Sequence, residues 1–367
     1  MAASRRREPD ASPRLYLRPA GLITGPDAQR MTAARQALPL VGGWIAFSAG
    51  EVITRTTTGR HSQWVTAEAL PGFIADQPAG ARDRLATLFD ALTCPRPPLA
   101  GAALDVRRPA IMGVVNVTPD SFSDAGRHAA PQAAIAHGRA LAAAGADILD
   151  IGGESTRPGA RPVSPDEEIA RIRPVIAGLK GIAPLSIDSR HGPVIAAALA
   201  AGAAMINDVT ALEGPGSLTL AAGADAPVVL MHMQGTPGSM QDNPRYDDVL
   251  LDVYDYLERR LAACERAGIA RHRLIVDPGI GFGKNLAHNL ALIDGLALFH
   301  GLGCRVLLGA SRKSMIDAIH SAPADQRLGG SLALALAGIE RGAQILRVHD
   351  VFATVQARDV WFSLHPP

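Results

Sequence analysis

Beyond Ala110, eight short apolar runs each close on a side chain that can donate, accept or carry charge. The closing residues are Asn116, Glu154 with Ser155 and Thr156, Asp188, Asn207, His232, Asp277, Ser311 with Lys313, and Arg347 with His349. Singly, each has an ordinary explanation, since Asp and Asn are common helix N-caps. Together they describe two binding chemistries. The carboxylates of Asp188 and Asp277 accept from paired N–H donors, and the Asn207 carboxamide both donates and accepts. That set suits a flat heterocycle with an amidine-like edge, such as a guanine or pterin ring, with Lys313 donating to the opposite edge. Such a site rejects rings that leave its own polar groups unpaired. The second chemistry is anionic. Arg347 and His349 alternate on one run and so share a face. With Asn116 and the Thr156–Arg157 loop they form a cluster of phosphate size, and Arg suits bidentate phosphate contacts.

These residues need a scaffold that brings eight run ends together. The runs "AIMGVVNV", "ADILDIGG", "PLSIDS", "AMINDV", "PVVLMH", "LIVDPG", "RVLLGAS" and "QILRVHD" suit strands covered on both faces. Segments such as "DEEIARIRPVIAGLK" and "YDDVLLDVYDYLERRLAACERAG" between them place apolar residues three and four apart, the helix period. Strands alternating with helices imply a parallel sheet with right-handed crossovers. Eight evenly spaced units predict an α/β (β/α)8 TIM barrel, whose active site lies at the C-terminal ends of the strands. An open doubly wound sheet is the alternative, weakened by the lack of G-x-G-x-x-G after the first strand. "DPGIGFGKN" is Gly-rich but lacks G-K-[ST], so it is not a P-loop. Its glycines are expected to let the backbone lie close to a flat ligand.

The chain has 367 residues, with 36 Lys plus Arg against 35 Asp plus Glu, a formal net charge of +1. That balance argues against a general nucleic-acid binder. Cys94, Cys264 and Cys304 lie far apart without a C-x-x-C pair, which fits a reducing cytoplasm better than structural zinc or a disulfide framework. The stretches "ALPLVGGWIAFSAG" and "GPVIAAALAAGAAMIN" fall short of a membrane span. A soluble protein with no membrane partner is expected. The Pro-rich "CPRPPLAG" marks a boundary, so residues 1–108 are read as an N-terminal extension with no catalytic motif and 109–367 as the barrel.

The elements "MGVVNVTPDSFSDAG", "DIGGESTRPGA", "SIDSR", "INDV", "MHMQG", "DPGIGFGKN", "GASRKSMI" and "RVHDV" resemble the dihydropteroate synthase family, in family order and one per strand. The resemblance implies condensation of a dihydropterin methyl diphosphate with 4-aminobenzoate, releasing diphosphate in folate synthesis. It implies that Asp188, Asn207, Asp277 and Lys313 hold the pterin. Thr156, Arg347, His349 and Asn116 would hold the diphosphate, with Asn116 also a ligand of Mg2+. Ser314, Phe122 and Pro158 would line the aminobenzoate site. Asp277, Lys313, Arg347 and Asp124 are the expected catalytic residues. The loop after the first strand is expected to close over the substrates, bringing Asp120 and Asp124 near the metal. Homodimers through the last helices are common in the family. A pterin-binding methyltransferase-type barrel and a non-catalytic paralogue are the alternatives.

Overall fold

The eight apolar runs form the eight strands of a closed parallel barrel in a computed structural model that describes residues 13–99, 108–117, 130–155, 163–236 and 238–366. In chain order the barrel strands are β5 (Ala110–Asn116), β6 (Ile148–Gly152), β7 (Leu185–Asp188), β8 (Met205–Asp208), β9 (Val228–Met231), β10 (Leu274–Asp277), β11 (Arg305–Leu308) and β12 (Ile345–Val348). Each pairs in parallel with its sequence neighbour, and β12 closes on β5 through Arg347 opposite Met112. Closure, rather than an open doubly wound sheet, follows.

Strand alternation divides the residues into two sets. Ile111, Leu149, Ile187, Ile206, Leu230, Val276, Val306 and Leu346 face the surrounding helices. Ala110, Met112, Ile148, Met205, Val229, Ile275, Leu307 and Ile345 fill the barrel interior as one apolar cluster, and Leu99 joins it. Both faces are dry, as parallel barrel strands require.

The covering helices start where their sequences supply caps. In α5 (Pro165–Leu179) the Ser164 hydroxyl accepts from the Glu167 N–H. In α8 (Val249–Arg266) the Asp248 carboxylate accepts from Leu250 and Leu251. Asn285 and His288 form a reciprocal capping box at α9 (Leu286–Asp294). Further helices are α4 (Ala130–Ala143), α6 (Gly192–Ala201), α7 (Ser217–Gly223), α10 (Ser314–Ile319), α11 (Leu328–Ile339) and α12 (Val351–Leu364). No helix among the described residues is long and apolar enough to cross a membrane.

Ahead of the barrel lies an antiparallel sheet. Its strands are β1 (Arg14–Thr24), β2 (Leu38–Pro39), β3 (Ile45–Thr56) and β4 (Gly59–Thr66), with helices α1 (Gly25–Ala33), α2 (Leu70–Ala75) and α3 (Ala79–Thr93). β1 pairs with one edge of β3, while β2 and β4 share the other. The sheet docks on α8 through polar contacts: Tyr16 donates to Asp255 at 2.8 Å, and Arg55 and Arg60 meet Asp252 at 2.6 Å and Asp248 at 3.1 Å. Trp44 Nε1 donates to the Ile339 carbonyl, and Arg96 donates to the carbonyls of His300 and Cys304. Cys94, Cys264 and Cys304 are free thiols.

Candidate active site

The barrel interior changes character over a single two-residue step. Two residues beyond the apolar cluster, on the same inward face, Ile148 gives way to Asp150, Met205 to Asn207, Ile275 to Asp277 and Ile345 to Arg347. Asp188 stands level with Asn207 in the β7–β8 register. The mouth of the barrel is thus a polar layer resting on an apolar floor.

Arg347 organises that layer. Its Nε donates to Asp150 Oδ2 and its Nη2 to Asp188 Oδ2, each at 2.6 Å. The Asn207 carboxamide nitrogen donates to the same Asp150 oxygen at 3.0 Å. Asp150 is fully buried. Burial opposes the Arg347 charge, yet Asp150 and Asp188 hold its pKa above the ordinary range. Burial pushes the Asp188 carboxyl up, against the pull of Arg347. A carboxylate 2.6 Å from a guanidinium is best described as ionised, in a charge-assisted bond.

Asp277 ends β10 with Oδ1 accepting the Gly279 N–H at 2.7 Å. Burial raises its pKa, while the Gly279 bond and the cations of Lys313, Lys284 and Arg347 oppose the rise. Lys313 immediately precedes α10, and its Nζ lies 4.0 Å from the centroid of the Phe282 ring, a cation–π contact. Ser314 is exposed at the first position of α10. His349 follows β12, its backbone N–H and Nδ1 on the Ser311 hydroxyl at 3.2 and 3.1 Å. Burial, with Arg347 adding to it, pushes the His349 pKa down to about 3, so the ring is neutral. Asn116 ends β5, half-buried at the same mouth.

Asp188, Asn207, Asp277, Lys313, Arg347, His349 and Asn116 therefore all belong to one end of the barrel. Arg347, expected from the sequence in an anion cluster, also has two of its nitrogens engaged by carboxylates. Thr156, Arg157, Pro158, Asp120, Phe122 and Asp124 lie outside the described residues. The sequence reading missed Asp150, the hub of the network, because it sits inside an apolar run rather than at its end. A carboxylate inside such a run, two residues from the strand end, is the signal that marks it.

Two of the "DPGIGFGKN" glycines are required by the fold of the loop itself. A side chain on Gly279 (φ +69°) would meet the His232 carbonyl at 1.9 Å, and one on Gly283 (φ +64°) the Gln234 carbonyl at 2.5 Å. These two glycines let the loop approach the chain after β9.

Beside the mouth, Glu154, Glu168 and His191 lie at metal-ligand spacing. Arg190, however, forks onto Glu154 with two bonds of 3.0 Å, and the Val163 N–H donates to it at 3.2 Å. The cluster thus braces the β6–α5 connection. Glu168 is fully buried, and neither carboxyl oxygen has a hydrogen-bond partner of ordinary geometry among the described residues. Burial pushes its pKa up to about 7; the Ser189 hydroxyl offsets part of this, while Glu154 and Asp188 add to it. Its folded pKa is raised, so the protein carries no penalty below the unfolded value and loses stability as pH rises through about 7. Glu168→Gln is expected to be more stable than the parent at pH 8 by up to about 3 kcal/mol, with the gain vanishing towards pH 4.5. Denaturation midpoints across pH 4.5–8 check this, and a pH-independent difference contradicts it.

A closed parallel barrel with a carboxylate–carboxamide–ammonium layer at its mouth defines a class. Residues 112–349 match the family model described as pterin binding enzyme. Within that class the chain belongs to the dihydropteroate synthase family. It is 52% identical over 265 residues to the dihydropteroate synthase of Neisseria meningitidis serogroup B, covering 70% of this chain and 93% of that one. The barrel is similar to the Xanthomonas albilineans dihydropteroate synthase solved with 4-aminobenzoic acid (TM-score 0.70, 50% identity), covering 74% of this chain and 99% of that one. It is also similar to that enzyme in complex with 7,8-dihydropteroate (TM-score 0.68, 47% identity, 74% of this chain and 100% of that one). The family match starts at residue 112, beyond the antiparallel sheet.

Proposed function

We infer that this chain is a dihydropteroate synthase, a transferase of folate biosynthesis. It joins (7,8-dihydropterin-6-yl)methyl diphosphate to 4-aminobenzoate, giving 7,8-dihydropteroate and diphosphate. The observation that carries this reading is the polar layer of Asp188, Asn207, Asp277 and Lys313 over the apolar barrel floor. Asp277 and Asp188 accept from the ring's amidine-like edge, Asn207 both accepts and donates, and Lys313 donates to the other edge. Phe282, already beneath the Lys313 ammonium, supplies an aromatic wall.

The reaction is read as dissociative. The bond from the pterin methyl carbon to the diphosphate oxygen breaks, its electron pair leaves with diphosphate, and the dihydropterin ring spreads the positive charge. The arylamine nitrogen of 4-aminobenzoate then bonds to that carbon and loses a proton. No strong base is needed, since the arylamine is already nucleophilic. Stabilising charge on the leaving group is the main demand, assigned to Arg347, neutral His349 as an N–H donor, Thr156 and Arg157. Asp277 faces the cationic ring. Ser314, Phe122 and Pro158 are proposed for the aminobenzoate, with Phe122 and Asp124 on a loop that covers it.

Asn116 fits Mg2+, because a half-buried carboxamide oxygen at the mouth is a hard ligand, and this ion keeps water or phosphate oxygens as its other ligands. Bound there, the ion would neutralise diphosphate charge. A homodimer is proposed from the apolar side chains left exposed near the C-terminus, Phe352, Val360 and Leu364 on α12 and Ile319 on α10. The free thiols fit a cytoplasmic location. Residues 1–108 are proposed as an appended unit and 109–367 as the catalytic one.

The purified chain with Mg2+ is expected to release diphosphate only when the pterin diphosphate and 4-aminobenzoate are both present. No release with both present, or tight binding of methyltetrahydrofolate in place of the diphosphate, overturns the reading.

A further inference from the structure

We propose that Lys284 is a positioning residue of the pterin site: it clips the 277–285 loop to the end of β9 and thereby holds the Phe282 ring under Lys313. This rests on the reading of Lys313 as a pterin contact.

The geometry begins with the donors. An ammonium has three N–H bonds and no acceptor. Lys284 Nζ lies 2.9 Å from His232 Nδ1, 2.9 Å from the Phe282 carbonyl and 3.4 Å from the His232 carbonyl. Three partners match three donors, and the residue is 3% exposed. Lys284 thus has nothing left for a phosphate, although "GFGKN" superficially suggests a phosphate loop.

The anchor end of the clip is firm. His232 is buried directly after β9 and stands edge-on to Tyr256, with ring centroids 4.9 Å apart. Its backbone N–H donates to the Asp277 carbonyl at 3.0 Å. Accepting at Nδ1 requires the neutral ring, with its proton on Nε2. Burial, reinforced by the Lys284 charge, favours that form by pushing the imidazole pKa down to about 2.

The held end leads to the ligand site. Lys284 fixes the Phe282 carbonyl, and the ring of that same residue lies 4.0 Å from Lys313 Nζ. The next neighbour, Gly281, packs so closely that a side chain there would meet Lys313 Cδ at 3.1 Å. Other clips help, since Gln241 donates to the Gly281 carbonyl at 2.6 Å and Tyr246 to the Gly283 carbonyl at 2.7 Å. Of the side-chain clips on this loop, Lys284 is the one that bonds Phe282, whose own N–H donates to the Gly279 carbonyl at 3.1 Å. Burying an ammonium is costly: burial pulls the Lys284 pKa down to about 7, with Asp277 opposing the fall, and two backbone carbonyls and the His232 ring nitrogen offset the cost.

The test compares Lys284→Met, Phe282→Leu and the double variant with the parent, titrating the dihydropterin diphosphate and measuring KM for 4-aminobenzoate. Lys284→Met is expected to raise the pterin Kd about tenfold, the scale of one lost charge-assisted hydrogen bond, and to move the aminobenzoate KM less than about twofold. If Lys284 acts through Phe282, the double variant is no worse than about the larger single effect, because coupled residues are not additive. Lys284→Gln keeps an N–H for the Phe282 carbonyl and is expected to recover part of the loss, which keeps the test decisive should the Met variant fold poorly. Multiplying single effects, an unchanged pterin Kd in both Lys284 variants, or equal losses for both substrates would each overturn the assignment. Failure of the parent to bind the pterin diphosphate would instead count against the function itself.

Discussion

Arg347→Met is expected to cut turnover by about a thousandfold and to lower stability by about 3–5 kcal/mol. The two losses have different origins. The guanidinium binds Asp150 and Asp188 at 2.6 Å each, and Asp150 has no exposed surface. Removing the cation leaves two carboxylates side by side in a dry barrel, with only the Asn207 amide to serve Asp150. The catalytic loss is expected because the two carboxylates engage one hydrogen each of Nε and Nη2, and a guanidinium has five N–H donors to offer, the rest suiting a developing diphosphate charge. Lysine is not a substitute: it retains the charge but cannot bridge two carboxylates with a planar fork. Asp150→Asn in the Arg347→Met background removes one orphaned charge. It is expected to return part of the stability and none of the turnover. Urea midpoints and diphosphate-release rates on the parent, Arg347→Met and the double variant separate the effects. Parent-like turnover in Arg347→Met rules out the catalytic role, and a parent-like midpoint rules out the structural one.

That pairing also shows where the sequence was readable and where it was not. The strand ends could be found because a parallel barrel strand must be apolar on both faces until it reaches solvent, so the first polar residue marks the mouth. Asp188, Asn207, Asp277 and Arg347 were found that way. Asp150 broke the rule by entering the mouth layer inside β6, with Ile151 after it still packing outwards. Only the closed barrel reveals that its carboxylate meets Asn207 and Arg347. In "GFGKN" no Ser or Thr follows Lys284, so the sequence offers no phosphate motif there. The contacts of Lys284 with His232 and Phe282, across 52 residues in one case, are a property of the folded loop that no local pattern encodes. Likewise Gly279 and Gly283 were legible as positions of backbone freedom, but what they approach was not.

Asp277→Asn is expected to be the more informative active-site change, because stability and activity should move in opposite directions. The side chains have the same shape. The amide oxygen can still accept the Gly279 N–H that Asp277 Oδ1 now accepts at 2.7 Å, so the turn after β10 keeps its bond. Only the charge disappears. Burial raises the Asp277 pKa, so at neutral pH the folded protein carries the cost of ionising a buried acid, offset in part by Lys313, Lys284 and Arg347. The neutral isostere lifts that cost. The stability gained over the parent is expected to grow as pH rises from the acid range, since a raised folded pKa means stability lost on deprotonation. Turnover is expected to fall by about a hundred- to thousandfold, because a carboxylate facing the ring stabilises the pterin cation formed as diphosphate leaves. Pterin binding is expected to weaken by about tenfold, the scale of one hydrogen bond to a charged group. Sites built to stabilise a transition state hold buried charge that the fold alone would discard. A variant that is more stable and still turns over within about threefold of the parent would show that this charge serves neither purpose, and the cation would need another partner at the barrel mouth.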